Sequence, residues 1–283
     1  MKPRRPVLRY HGGKWRAAET ILAHMPDHRC YVEPFGGSAA VLMQKKRVAA
    51  ECYNDLDGRI VNIFRILQDP NKAELLRRRC YFTPFSRAEY ERFYEPAEDE
   101  IDDAWKIIGL SFFGHGSDAA TRSCRTGFRA KLSDGRALPA SEWANWTEEV
   151  PAFIERLRGI VIEQRDAIEV IERFDKEDTL FYVDPPYLHE TRSAYRGGPS
   201  HGYRFELSDE GHEALAKKLC ELKGMVLLSG YCSPLYEKLY PKWDRIAFLC
   251  LADGARPRTE VLWLNPAAAA RQRQMNFELV SNG

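Results

Sequence analysis

Short runs of strand-forming apolar residues alternate with longer stretches whose apolar positions recur every three or four residues. That alternation predicts an α/β fold built on a parallel sheet. Residues 30–35 read as a first strand, followed by Gly36-Gly37-Ser38 and a helix over 39–46. Residues 49–53 read as a second strand ending in Asn54-Asp55, and Ile60, Ile63, Phe64 and Leu67 then mark the buried face of a helix. Further strands are expected over 159–163, 179–183, 224–229, 244–251 and 259–264, with helices over 15–25, 146–157, 167–174, 208–222 and 234–239. Ser208 stands where a helix N-cap belongs, with Glu210 and Glu213 favouring the first turns.

From residue 70 to 151 the texture changes. Helical patterns rich in arginine and aromatics, among them Trp105, Ile108 and Phe112, lead into Gly114-His115-Gly116-Ser117 and then a basic stretch from Arg122 to Arg136. The reading is one α/β domain made of residues 1–79 and 151–283, with 80–150 inserted between its halves. Apart from 267–270, a run of alanines, no tract is of low complexity.

The fourth predicted strand carries the sharpest chemical signal. Thr179-Leu180-Phe181-Tyr182-Val183 runs into Asp184-Pro185-Pro186-Tyr187. Neither proline can donate an N–H, and each residue ahead of a proline is pushed to extended geometry, so the strand must stop there. The Asp184 carboxylate, the backbone carbonyls and the Tyr187 ring are thereby held at the carboxyl end of a strand, the edge where open α/β sheets bind ligands. Strand, Gly36-Gly37 turn and helix form the shape that presents free N–H groups to a ligand. Asp55 follows the glycine turn by the roughly twenty residues expected of an acid that binds ribose hydroxyls. Gly12-Gly13-Lys14 can bring N–H groups and an ammonium to an anion, but the full phosphate-loop pattern is absent.

Composition narrows the class. The chain has 283 residues, 44% of them hydrophobic and 29% charged, and a net charge of +1, so no global charge points to a polyanion. Basic patches are local. The seven cysteines are scattered without metal-ligand spacing and read as reduced thiols. No apolar run is long enough to span a bilayer, so no membrane is expected and a cytoplasmic location is.

Three separated elements, Glu33-Pro34-Phe35-Gly36-Gly37-Ser38, Asn54-Asp55 and Asp184-Pro185-Pro186-Tyr187, resemble in order the motifs of Dam-like (D12 class) DNA adenine N6-methyltransferases. Tyr10-His11-Gly12-Gly13-Lys14 resembles their opening element, and the segments 226–231 and 258–263 resemble their closing strands. The resemblance implies a Rossmann-like methyltransferase sheet that binds S-adenosyl-L-methionine, with a mainly helical DNA-recognition region inserted at 80–150. The family often has a further glycine where this chain has Ala39, a methyl expected to tighten the donor pocket. The insertion does not match the recognition segment of the GATC enzymes.

By that resemblance Asp184, Pro185, Pro186 and Tyr187 are catalytic: Asp184 and the Pro185 carbonyl grip adenine N6, and Tyr187 stacks on a base flipped out of double-stranded DNA. Tyr10, Gly12, Gly13, Lys14, Glu33, Pro34, Phe35, Gly36, Gly37, Asp55, Asp166 and Asp184 line the donor site, with Asp55 at the ribose and Asp166 at the donor's adenine. Asp166 fits a helix N-cap as readily. Arg122, Arg125, Arg129 and Lys131 are expected to neutralise phosphates, joined by Arg192 and Tyr195 from the polar loop after Tyr187. No metal is required, and a monomer is expected, with a dimer as the alternative. Competing readings are a same-fold enzyme acting on RNA or a protein amide, where related enzymes often carry Asn at the Asp184 position, and a catalytically inactive DNA-binding relative.

Overall fold

The protein is described by a computed structural model covering residues 2–116, 119–120, 125–130, 138–188, 204–251 and 257–281. In chain order the elements are α1 (Ala18–Ala23), β1 (Cys30–Glu33), α2 (Ala40–Gln44), β2 (Ala50–Asn54), α3 (Gly58–Gln68), α4 (Pro70–Tyr81), α5 (Arg87–Arg92), α6 (Glu100–Phe113) and α7 (Pro139–Leu157). There follow β3 (Val161–Glu163), α8 (Ala167–Phe174), β4 (Thr179–Val183), α9 (Asp209–Glu221), β5 (Met225–Gly230), α10 (Pro234–Leu239), β6 (Asp244–Leu251), β7 (Pro257–Leu264) and α11 (Pro266–Ser281).

The strands form one sheet in the order β3-β2-β1-β4-β5-β7-β6. β1 to β5 are parallel, and β7 runs antiparallel between β5 and β6. The chain steps outward from β1 through β2 to β3, then returns to lay β4 on the other side of β1. This reversal leaves a crevice outside the carboxyl ends of β1 and β4.

Both faces of the sheet are covered, which is why β4 is apolar and buried along its whole length. Its side chains alternate with the period of two that a strand imposes. Leu180 and Tyr182 enter a cluster shared with α2, α3, α4, α6 and α7, while Phe181 and Val183 enter one shared with α8, α9 and α10. Truncating Phe181, fully buried, should cost about 3–5 kcal/mol. The helices of 80–150 pack into the first cluster through Trp105, Phe113, Trp143 and Trp146.

Two helices differ most from the sequence reading, while α1 and α2 are shorter than expected. α7 starts at Pro139 rather than near 146, because proline is well tolerated in a first helical turn. Trp143, Trp146, Val150, Phe153 and Leu157 then make one continuous buried stripe past Pro151. The alanine tract at 267–270 belongs to α11. Ala268 and Ala269 are buried, and Asn265 Oδ1 accepts the Ala268 N–H at 2.9 Å and the Val226 N–H at 3.0 Å, capping the helix and stitching it to β5. Among the described residues no helix is long and apolar enough to cross a membrane.

Candidate active site

A cleft of about 1130 Å³, open mouth included, occupies the crevice. Its walls are Tyr10 to Lys14, Glu33 to Ser38, Asn54 to Asp57, Arg165 to Ile168, Asp184, Pro186 and Arg204 to Leu207, with a few residues of α2 and α9. Every donor-site residue expected from the sequence lines it: Tyr10, Gly12, Gly13, Lys14, Glu33, Pro34, Phe35, Gly36, Gly37, Asp55, Asp166 and Asp184. Pro186 does too, whereas Pro185 and Tyr187 are buried beside it.

The glycine turn is tight for steric reasons. A Cβ on Gly36 would fall 2.1 Å from Tyr53 Cε2, and Gly37 has φ +47° with the Tyr10 ring against it. The N–H groups here are not free, contrary to expectation. Gly36 donates to Asn54 O at 2.7 Å, Gly37 to Asp55 Oδ2 at 2.8 Å and Ala39 to Gly36 O at 2.7 Å. The turn is closed on the protein itself, since buried amides must find acceptors before any ligand arrives. Ala39 also departs from expectation: it is fully buried in the core, outside the cleft wall, with φ 53°. Its methyl costs about 1–2 kcal/mol of left-handed backbone strain and does not narrow the pocket.

Two carboxylates shape the cleft around the glycine turn. Asp55 Oδ1 accepts the Asp57 N–H and Oδ2 the Gly37 N–H, each at 2.8 Å. Burial pushes Asp55 up to about 6 in spite of those donors. Glu33 ends β1, and its Oε1 accepts the Tyr31 hydroxyl and the Leu42 N–H, each at 2.7 Å. Burial lifts it to about 7. Behind it, Arg156 forms a two-point pair with Glu51 at 2.6 and 3.0 Å and donates to Leu42 O at 2.9 Å, holding the middle of α2. Asp166 is both things the sequence allowed, an N-cap accepting the Ile168 N–H at 2.8 Å and part of the cleft wall.

At the end of β4 the Lys14 ammonium lies 3.1 Å from Asp184 Oδ2, 2.7 Å from Gly12 O and 4.0 Å from Glu260 Oε1. Asp184 Oδ1 is buried and has no hydrogen-bond partner. Burial raises the Asp184 carboxyl, Lys14 pulls it back, and Glu260 raises it again. Tyr187 is 7% exposed; Lys14 Nζ sits 4.8 Å over its ring and Tyr231 meets it edge-on at 4.8 Å. Glu260, Arg204 and Phe205 were not singled out from the sequence as site residues. Glu260 had a usable signal, an acid one residue before an apolar strand run.

The expected DNA contacts are dispersed. Arg125 is exposed, pairs with Glu91 at 2.7 Å and covers the Tyr94 ring at 4.6 Å. Arg129 is mostly buried and is spent inside the protein, on Phe112 O at 3.0 Å and Glu142 at 3.1 Å. Arg122, Lys131, Arg192 and Tyr195 lie outside the described residues. Among the described residues no three His, Cys, Asp or Glu side chains are grouped to hold a metal ion.

Sheet order and a single reversed strand next to the last in the sheet are those of a Rossmann-like methyltransferase. The family model for D12 class N6 adenine-specific DNA methyltransferases matches residues 10–246, and the chain belongs to that family. It is similar to the DNA adenine methylase of Vibrio cholerae, 22% identical over 247 residues that make up 85% of this chain and 86% of the relative. It is likewise 22% identical over 251 residues to the DNA adenine methylase of Escherichia coli K12 (86% of each chain), and 23% over 250 residues to that of Salmonella typhi (85% of each).

Proposed function

We propose that the chain moves the methyl group of S-adenosyl-L-methionine to N6 of an adenine turned out of double-stranded DNA at a specific site. The reading is carried by the meeting of Asp184, the Gly36-Gly37 turn and Asp55 on one cleft, with Asp184 Oδ1 buried and lacking a partner. A buried acceptor without a donor costs about 1–3 kcal/mol, and an incoming amino group would supply the donor.

S-adenosyl-L-methionine, when bound, supplies a methyl carbon made electrophilic by its sulfonium. The chain's part is to bind and align. Asp55 takes the ribose and Asp166 the donor's adenine. Tyr10, Gly12, Gly13, Lys14 and the segment Glu33 to Gly37 wrap the methionine end. Asp184 and the Pro185 carbonyl accept the two N–H bonds of N6, drawing its lone pair out of the ring and stabilising the positive charge that develops. The proline corner fixes both acceptors, and the Lys14 ammonium opposes the upward effect of burial on the Asp184 carboxyl. Tyr187 is the aromatic surface for the extruded base, an interaction worth about 1–3 kcal/mol. Residues 80–150 supply the target-recognition contacts, Arg125 among them, and the chain acts as a monomer.

Asp184→Ala is the direct test. Affinity for the uncharged S-adenosyl-L-homocysteine, measured by calorimetry, should stay within about threefold, while methyl incorporation into DNA falls by about a hundredfold or more. Unchanged turnover would remove Asp184 from the chemistry. Base-resolved mapping of modified DNA would report the target base and its context.

A further inference from the structure

β7 is the one strand among those described that runs against its neighbours, so it brings its beginning, and not its end, to the edge where β1 and β4 finish. Glu260 lies in that first half, beyond the residues matched by the family model. Strand alternation fixes which way it faces. Leu262 and Leu264 enter the same apolar cluster as Leu180 and Tyr182 of β4 and Tyr31 of β1, while Val261 and Trp263 enter the opposite one. Two residues before Leu262, Glu260 therefore points to the same face as Asp184, two residues after Tyr182, and Glu33, two residues after Tyr31. Three carboxylates converge at one edge on one side of the sheet.

Two of them, Asp184 and Glu260, share Lys14 as a cation, at 3.1 and 4.0 Å. Glu260 is 7% exposed, and its Oε2 is buried without an N–H or O–H donor. Arg258, one pleat further out on β7, is directed to Tyr231, 3.0 Å from its hydroxyl and with the guanidinium 4.9 Å over its ring. The charge of Glu260 reaches Asp184, where it opposes ionisation. A buried carboxylate in this place raises no stability argument of its own, because removing it from water is costly. Its effect is on the charge that the site accepts.

We propose that Glu260 makes the Asp184 end of the cleft net anionic, so that the site prefers a ligand with a positive charge at its reacting position over the same ligand without one. This rests on the donor reading above and deepens it. A donor with a charged sulfonium would be favoured over its neutral thioether product, and positive charge arriving at the acceptor amine would be stabilised.

The test uses the full chain and two probes that share the donor's nucleoside and amino acid. Sinefungin carries a protonated amine where the methylsulfonium would be; S-adenosyl-L-homocysteine carries a neutral thioether. In Glu260→Gln, equal in volume, sinefungin affinity should fall about tenfold and S-adenosyl-L-homocysteine affinity less than about threefold, the asymmetry expected when one charge is removed from the surroundings of a charged ligand. Glu260→Asp, which keeps the charge, should retain the wild-type preference. Equal losses for the two probes, or none in Glu260→Gln, would overturn the inference alone. A wild-type chain that binds neither probe would overturn the donor reading and the inference with it.

Discussion

The Gly37 N–H donates to Asp55 Oδ2 at 2.8 Å, tying the turn after β1 to the acid after β2. The other oxygen of the same carboxylate holds the Asp57 N–H, and Asp57 in turn caps α3 and meets Arg204 at 3.2 Å. Asp55 thus supports the cleft wall as well as facing into it. Asp55→Ala should lower stability by about 1–3 kcal/mol for the amides left without an acceptor, and should also weaken S-adenosyl-L-methionine binding. Lys14→Ala should weaken that binding too. Thermal unfolding and calorimetric titration separate the effects, and normal affinity in both variants would break the pocket assignment.

Glu33 and Asp55 make stability depend on pH in one direction. Glu33 sits at about 7 against an ordinary 4.5, and Asp55 at about 6 against 3.8. In that interval the folded chain binds more protons than the unfolded one, so the advantage is full below the ordinary values and is lost as pH rises through the folded ones. Glu33 alone accounts for a loss on the order of 3 kcal/mol between about pH 4 and 8. Glu33→Gln keeps an oxygen for Tyr31 and Leu42, so the variant should lose less stability than wild type over that range. Melting curves across the range check this; parallel curves for the two proteins would show that Glu33 does not carry the slope.

Arg125 and Arg129 should separate cleanly. Arg125 is 64% exposed on its side chain, and its pair with Glu91 is worth little, so Arg125→Ala should leave melting unchanged. If it trades Glu91 for a DNA phosphate, the salt slope of DNA binding should drop by about 0.9. Arg129→Ala strands Glu142 and the Phe112 carbonyl and should cost about 1–3 kcal/mol in stability. An unaltered salt slope in Arg125→Ala would count against this face as the DNA contact.

Much of this was legible in the sequence, wherever a local rule acts alone. The β4 run, the proline stop after Val183, the Ser208 and Asp166 caps and the glycine turn each follow from neighbouring residues. What was not legible depends on partners distant in sequence. That the Gly37 amide is taken by Asp55 requires β1 and β2 to be paired first. Ala39 gives no sign of a left-handed backbone until Gly36 and Gly37 have turned the chain. Glu260 falls at the functional edge only because β7 is reversed, and a strand's direction is not written in its own residues. The alanines of α11 carry too little apolar pattern to mark a buried face, and the helix is held in place by Asn265 from outside the tract.

The segment that carries Tyr10 and Lys14 is clamped along its preceding residues to α6 and α7. Val7 O accepts the Trp146 indole N–H at 2.7 Å, Arg9 reaches Ser111 at 3.3 and 3.4 Å, and the Arg4 backbone and side chain meet Glu149 at 2.8 and 3.0 Å. A displacement of α6 or α7 therefore pulls on the chain segment that leads to the ammonium beside Asp184. The amino-terminal strap thus acts as a drawbar between α6 and α7 and the ammonium beside Asp184.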